Sequence, residues 1–130
     1  MTTNTSAAAV RAAQNYLDAL CGDDLDSLIA LFADDVTWED PVGSDPVRGR
    51  AALRKIYAPV VGNFSAQLDT PIRGSHANRA AMAFTFEFDL DGTRTRARAI
   101  DIITVNDNGL ITGLQAYWSI DDVEAPSTSE

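Results

Sequence analysis

One cysteine, Cys21, and one histidine, His76, are all that this chain offers to disulfide or soft-metal chemistry. That excludes an internal disulfide and leaves no Cys/His pair at a metal-binding spacing. Basic residues are scarce too: 10 Lys and Arg stand against 19 Asp and Glu, a formal net charge of −9. Such a field repels phosphate backbones and anionic lipid, so nucleic acid and membrane are poor partners and a neutral ligand is the better expectation. No apolar run reaches membrane-spanning length, and the cluster Ala7-Ala8-Ala9-Val10 is too short for a signal peptide and lacks a basic leader. With the lone thiol, this fits a reducing cytoplasm. There is no glycine-rich phosphate loop and no ligand cluster, so neither a nucleotide nor a metal cofactor is expected.

What is present suits one domain over residues 1–130, with 45% apolar residues to build one core. Ala8, Val10, Ala13, Leu17 and Leu20 recur at helical spacing, with Ser6 as N-cap and Gly22 past the end. Asp23 or Asp24 caps a second helix carrying Leu25, Leu28, Ile29 and Phe32. Val36-Thr37-Trp38-Glu39-Asp40 alternates as a strand and stops at Pro41; a third helix runs from Gly49-Arg50 through Tyr57 and ends near Pro59. Four strands follow, at 65–73, 78–90, 93–105 and 110–120, with a tight turn at Asp91-Gly92 and a longer one at 106–109. Helices early and strands late predict an α+β domain, a curved, mainly antiparallel sheet wrapped around three helices, with a frayed tail over 121–130.

Residues two apart share a face of a strand. In the second of these strands Ala80, Met82, Phe84, Phe86, Phe88 and Leu90 make an apolar face. In the third, Ala97, Ala99 and Asp101 lie on one face and Arg94, Arg96 and Arg98 on the other. In the fourth, Leu110, Thr112, Leu114, Ala116, Trp118 and Ile120 share a face. Small alanines beside large aromatics predict a lined cavity. Asp101, on an apolar face away from the arginines, and Asp40, in line with Trp38 and Val36, are carboxylates in positions that strip hydration and raise a pKa. Such acids suit general acid/base work, but on pattern alone a structural carboxylate bonded to a backbone N–H or a tyrosine is the commoner case. Tyr16, Tyr57 and Trp118 read by default as packing groups, and His76 as a solvated turn residue.

The run from Phe32 to Ser44, FADDVTWEDPVGS, strongly resembles the catalytic-base segment of bacterial ketosteroid isomerases. Asn15-Tyr16-Leu17 before Gly22-Asp23, Ala99-Ile100-Asp101, and Gln115-Ala116-Tyr117-Trp118-Ser119 match the same family in the same order. The resemblance covers nearly the whole chain. It implies the cone-shaped fold of the wider nuclear transport factor 2-like, SnoaL-like superfamily and a cofactor-free isomerase of steroid metabolism, acting on a neutral 3-keto-5-ene steroid. It further implies a homodimer built on the exposed sheet face. By the same matching, Asp40 is the general base, Tyr16 the oxyanion-hole phenol, Asp101 the protonated oxyanion-hole acid, and Tyr57 a supporting hydrogen-bond partner of Tyr16. Trp38, Ile56, Phe84, Phe86, Ala97, Ala99, Leu114 and Trp118 line the steroid cavity. Phe32 stands where certain members carry a further tyrosine, which implies a shorter relay here, and Trp38 is bulkier than usual. The alternatives are another enzyme on this fold, such as a polyketide cyclase or epoxide hydrolase, and a non-catalytic binder of an apolar ligand.

Overall fold

Alanine and leucine hold the first helix, α1 (Thr5–Leu20), together in a computed structural model that describes residues 5–90 and 92–124. Its buried stripe is Ala9, Ala12, Ala13, Tyr16, Leu17 and Leu20, and Ser6 lies inside the first turn rather than capping it. Of the two candidate caps for α2 (Leu25–Ile29), Asp24 serves: its carboxylate accepts from Ser27 N at 3.2 Å and Ser27 Oγ at 2.7 Å. Phe32, expected at the end of that helix, instead opens strand β1 (Phe32–Glu39), where it is fully buried. A two-residue strand, β2 (Val47–Arg48), and helix α3 (Arg50–Tyr57) follow. Gly49 starts α3 with φ of 89°, a value that disfavours any side chain, while its N–H donates to Val36 O at 2.9 Å.

The remaining strands are β3 (Phe64–Leu68), β4 (Arg73–Gly74), β5 (Arg79–Leu90), β6 (Thr93–Val105) and β7 (Ile111–Tyr117). The strand expected over 65–73 is thus two pieces separated by a segment that holds Pro71, whose missing N–H interrupts a ladder. At the expected Asp91-Gly92 turn, Asp91 lies outside the described residues and Gly92 has φ of 82°. The first residues of the expected tail are ordered: Ile120–Asp122 form a 3-10 turn boxed by Ser119 and Asp122, and β8 (Val123–Glu124) pairs with β6. Residues 125–130 lie outside the described residues.

The strands form one open, mixed sheet in the order β2-β1-β7-β6-β5-β3, with β4 added to β5 and β8 to β6. Every pair is antiparallel except β1 with β7, which run parallel with Trp38 opposite Leu114 and Glu39 opposite Gln115. α1 and α3 lie against this sheet and α2 packs on both of them, giving the cone-shaped α+β fold expected. Where α1 crosses β4, a Cβ on Gly74 would stand 3.0 Å from both Ser6 Cβ and Val10 Cγ2, so only glycine lets the two backbones approach this closely. The β6–β7 register shifts between Thr104 and Val105, pairing Val105 with Ile111 and Thr104 with Gly113. This bulge puts Ile111 into the core and takes Thr112 off the face assigned to it by strict alternation.

Candidate active site

Five elements bring the expected site residues together. The last turn of α1 presents Tyr16, the end of β1 presents Trp38 and then Asp40, the end of α3 presents Ile56 and Tyr57, and β5 and β6 present Phe84, Phe86, Ala97, Ala99 and Asp101. With Trp118, just past β7, they line one cavity of about 480 Å³, a size within the usual range for small-molecule sites. The parallel β1–β7 pairing sets the end of β1 beside the end of β7, and Trp118 Nε1 donates to Asp40 Oδ1 at 2.5 Å.

Tyr16 and Tyr57 are buried, and their hydroxyls lie 2.8 Å apart. The relay is not shortened by Phe32: the indole Nε1 of Trp38 donates to Tyr57 Oη at 2.8 Å and supplies a third member. Phe32 stacks on the Tyr57 ring with centroids 6.1 Å apart, a purely apolar support. Asp101 is 3% exposed, and its Oδ1 has no hydrogen-bond partner among the described residues. A buried carboxylate with no cation beside it is costly when charged. Burial, and secondarily the charge of Asp40, therefore pushes the Asp101 carboxyl well above the usual carboxylate range. Asp40 is also raised by burial, though the Trp118 indole offsets part of that by bonding the charged form. Burial raises both phenols, with Tyr57 and Asp101 adding to the effect on Tyr16.

Burial without a partner thus favours the neutral, donating form of Asp101, the Trp118 bond favours the charged, accepting form of Asp40, and the Tyr16 phenol can act as a second donor. The arginines of β6 face the other way: Arg94 and Arg96 pair with Glu87 at 2.9 and 3.1 Å, and Arg96 with Glu124 at 2.9 Å, all on the outer face. Among the described residues, no cluster of His, Cys, Asp and Glu could hold a metal ion, and no helix is long and apolar enough to cross a membrane.

Leu114 is the exception among the expected lining residues. It is fully buried opposite Ile103, one step along the face from the Asp101–Ala116 pair, and packs in the core instead of lining the open volume. Eight further lining residues went unassigned: Leu20, Val60, Phe64, Phe88, Thr95, Ala116, Ile120 and Val123. Leu20, Phe88, Thr95 and Ala116 continue the same helical stripe or strand faces, so periodicity could have found them. Val60, before β3, and Val123, in a two-residue strand, carry no periodic signal.

The SnoaL-like domain family matches residues 13–114. The steroid Delta-isomerase of Nocardioides simplex is 36% identical over 120 residues, 91% of this chain and 95% of that protein. The epoxide hydrolase LasB of Streptomyces lasalocidi is 29% identical over 115 residues, 85% of this chain but only 41% of that longer protein. Among solved structures, the epoxide hydrolase/cyclase-like enzyme SalBIII, of pyran ring formation in polyether salinomycin, superposes with a TM-score of 0.80 at 25% identity, covering 87% of this chain and 92% of its own. RV0760c of Mycobacterium tuberculosis superposes with a TM-score of 0.82 at 24% identity, covering 95% and 98%.

Proposed function

The chain belongs to the SnoaL-like domain family, and from that premise we propose that it is a steroid Δ5-3-ketone isomerase that moves a double bond from Δ5 to Δ4. The observation that carries this reading is the meeting of Tyr16, Asp40 and Asp101 in one largely apolar cavity, with the Asp101 carboxyl buried and its Oδ1 unpartnered among the described residues. The substrate is a neutral 3-keto-5-ene steroid, whose hydrogens at carbon 4 are acidified by the ketone. Asp40 removes one of them. Electron density moves to the ketone oxygen, where Tyr16 and Asp101 donate hydrogen bonds to the dienolate in a site of low dielectric. Asp40 then returns the proton to carbon 6, and no other reactant is consumed.

The test is an ultraviolet assay with 5-androstene-3,17-dione, following the conjugated 4-en-3-one. Asp40→Asn keeps the shape of the side chain and cannot accept the proton, so turnover collapses while the far-ultraviolet circular dichroism stays native. Tyr16→Phe and Asp101→Leu each lower kcat by about 100- to 1,000-fold. Normal turnover in the Asp40→Asn protein removes Asp40 as the base.

A second reading comes from LasB and SalBIII: ring opening of an epoxide, with the same carboxylates serving as base and acid. Formation of a diol or cyclic ether from an epoxide, with no change in a 5-en-3-one, selects it. A non-catalytic binder retains steroid unchanged. We place the protein in the cytoplasm as a homodimer, with the contact on the outer sheet face, where Ile100 and Tyr117 stand opposite each other and half exposed. Light scattering that returns a monomer mass overturns the dimer.

A further inference from the structure

Tyr57 Oη has two hydrogen-bond partners among the described residues, Tyr16 Oη and Trp38 Nε1. The second is directional, because an indole N–H can only donate. Tyr57 therefore receives a hydrogen from Trp38 and has its own left to place. It is buried, and the face of its ring is covered by Phe32, which has no polar atom. The acceptor within reach is Tyr16 Oη at 2.8 Å. In the opposite sense, Tyr16 and Trp38 would both aim a hydrogen at Tyr57, and the Tyr57 hydrogen would be buried without an acceptor, which folded proteins avoid. The Tyr16 proton would also be used up inside the protein rather than offered to the cavity.

We propose that Trp38 is a positioning residue, the terminal donor of a one-way relay from Trp38 Nε1–H through Tyr57 to Tyr16. This relay frees the Tyr16 hydroxyl to donate into the cavity and spreads charge gathering at a bound oxyanion over three groups. The inference rests on the reading of Tyr16 as an oxyanion donor. It gives Trp38 a task beyond filling space, since the edge of its ring packs at 80° to Tyr57 with centroids 6.0 Å apart and holds the N–H on the phenol oxygen. Hydrogen bonds in such a chain strengthen one another, so a donor two residues removed from the ligand is felt at the ligand.

Trp38→Phe keeps an aromatic ring and deletes the N–H. The probe is 4-nitrophenol, whose ionised form has its own visible absorption band, against nitrobenzene as a neutral ligand of similar shape. Wild type binds the ionised probe. Trp38→Phe weakens that binding about fivefold more than it weakens nitrobenzene, the worth of one neutral hydrogen bond. In a Tyr57→Phe background, where the relay is already cut, adding Trp38→Phe affects the two ligands alike. Equal weakening of both ligands by Trp38→Phe alone, or a difference between them that persists in the Tyr57→Phe background, overturns the relay and leaves Trp38 as a packing group.

A measurement on the unaltered protein stands beside this, should Trp38→Phe fold poorly. With the indoles labelled with nitrogen-15, the Trp38 Nε1–H resonance moves progressively downfield as phenolates of increasing basicity are bound; a resonance that ignores the series overturns the proposal. Absence of any preference for the ionised probe in wild type overturns both the relay and Tyr16 as oxyanion donor. Preference for the ionised probe that weakens in Trp38→Phe, with no turnover of the steroid, sinks the steroid substrate and keeps the relay.

Discussion

Asp40 and Asp101 share a cavity, and what separates their chemistry is depth of burial and one indole. Trp118 bonds the charged form of Asp40, whereas Asp101 Oδ1 has no such partner among the described residues. A base must be ionised to work, so on the proposed reading of Asp40 as base kcat/KM rises with pH through its raised pKa and levels off above it. Trp118→Phe removes the bond that favours the carboxylate, and this limb of the profile moves to higher pH. An unmoved limb removes Trp118 from the tuning. The stability consequence of Asp101 has the opposite slope from an ordinary paired carboxylate. Its folded pKa lies above the unfolded value, so the native state holds the proton more tightly, and stability falls as pH rises from about 4 to the folded pKa. The contribution is about 1.4 kcal/mol per pH unit across that window. Asp101→Asn, neutral throughout, flattens the dependence in urea unfolding measured at a series of pH values; a variant as steep as wild type shows that Asp101 is charged in the folded protein.

At the scale of elements, the helix–sheet contact at Gly74 sets a sharp test. A Cβ there meets Ser6 and Val10 at 3.0 Å, so Gly74→Ala forces α1 off β4 and costs about 1 to 3 kcal/mol in chemical denaturation. No loss of stability means that α1 shifts without penalty. Long strands were the legible part of this chain. In β5 and β6 an unbroken register runs from Arg79–Thr104 to Leu90–Thr93, so alternation placed the phenylalanines, the alanines and Asp101 on the right face. The same rule misassigned the start of β7, because a bulge adds a residue on one side of the ladder and flips the parity without a compositional mark. Ends were less legible than faces: Phe32 looked like the last helical apolar residue, and β8 is too short to show alternation. Within the site, the parity of Asp40 and Asp101 and the helix stripe beneath Tyr16 were visible, but their use rested on resemblance. The Trp38–Tyr57 bond was not visible, because 19 residues of separation say nothing about which hydroxyl an indole will meet.

Taken as a whole, the molecule leaves space where its core would otherwise be filled, and walls it mostly with apolar side chains. A ligand that enters only the folded state stabilises it in proportion to the logarithm of its concentration over Kd. A non-reacting neutral steroid such as a saturated 3-ketone therefore raises the thermal midpoint, equivalent to about 2.7 kcal/mol at 100 times its Kd. A midpoint indifferent to saturating steroid rejects steroid as the occupant.

The parallel seam between β1 and β7 has a consequence for how this protein is born. Trp38 is opposite Leu114 and Asp40 bonds Trp118, so one side of the strand that carries the carboxylate must wait for residues 78 positions further along. At ordinary rates of translation that wait is roughly 4 to 16 seconds. During it, β1 has only the two-residue strand β2 on its other side and shows the ribosome's surroundings an unpaired edge, the kind that recruits foreign strands. Nascent chains halted before β7 are accordingly the aggregation-prone species and the natural clients of chaperones, and Asp40 gains its Trp118 bond only when β7 pairs with β1 and closes the seam.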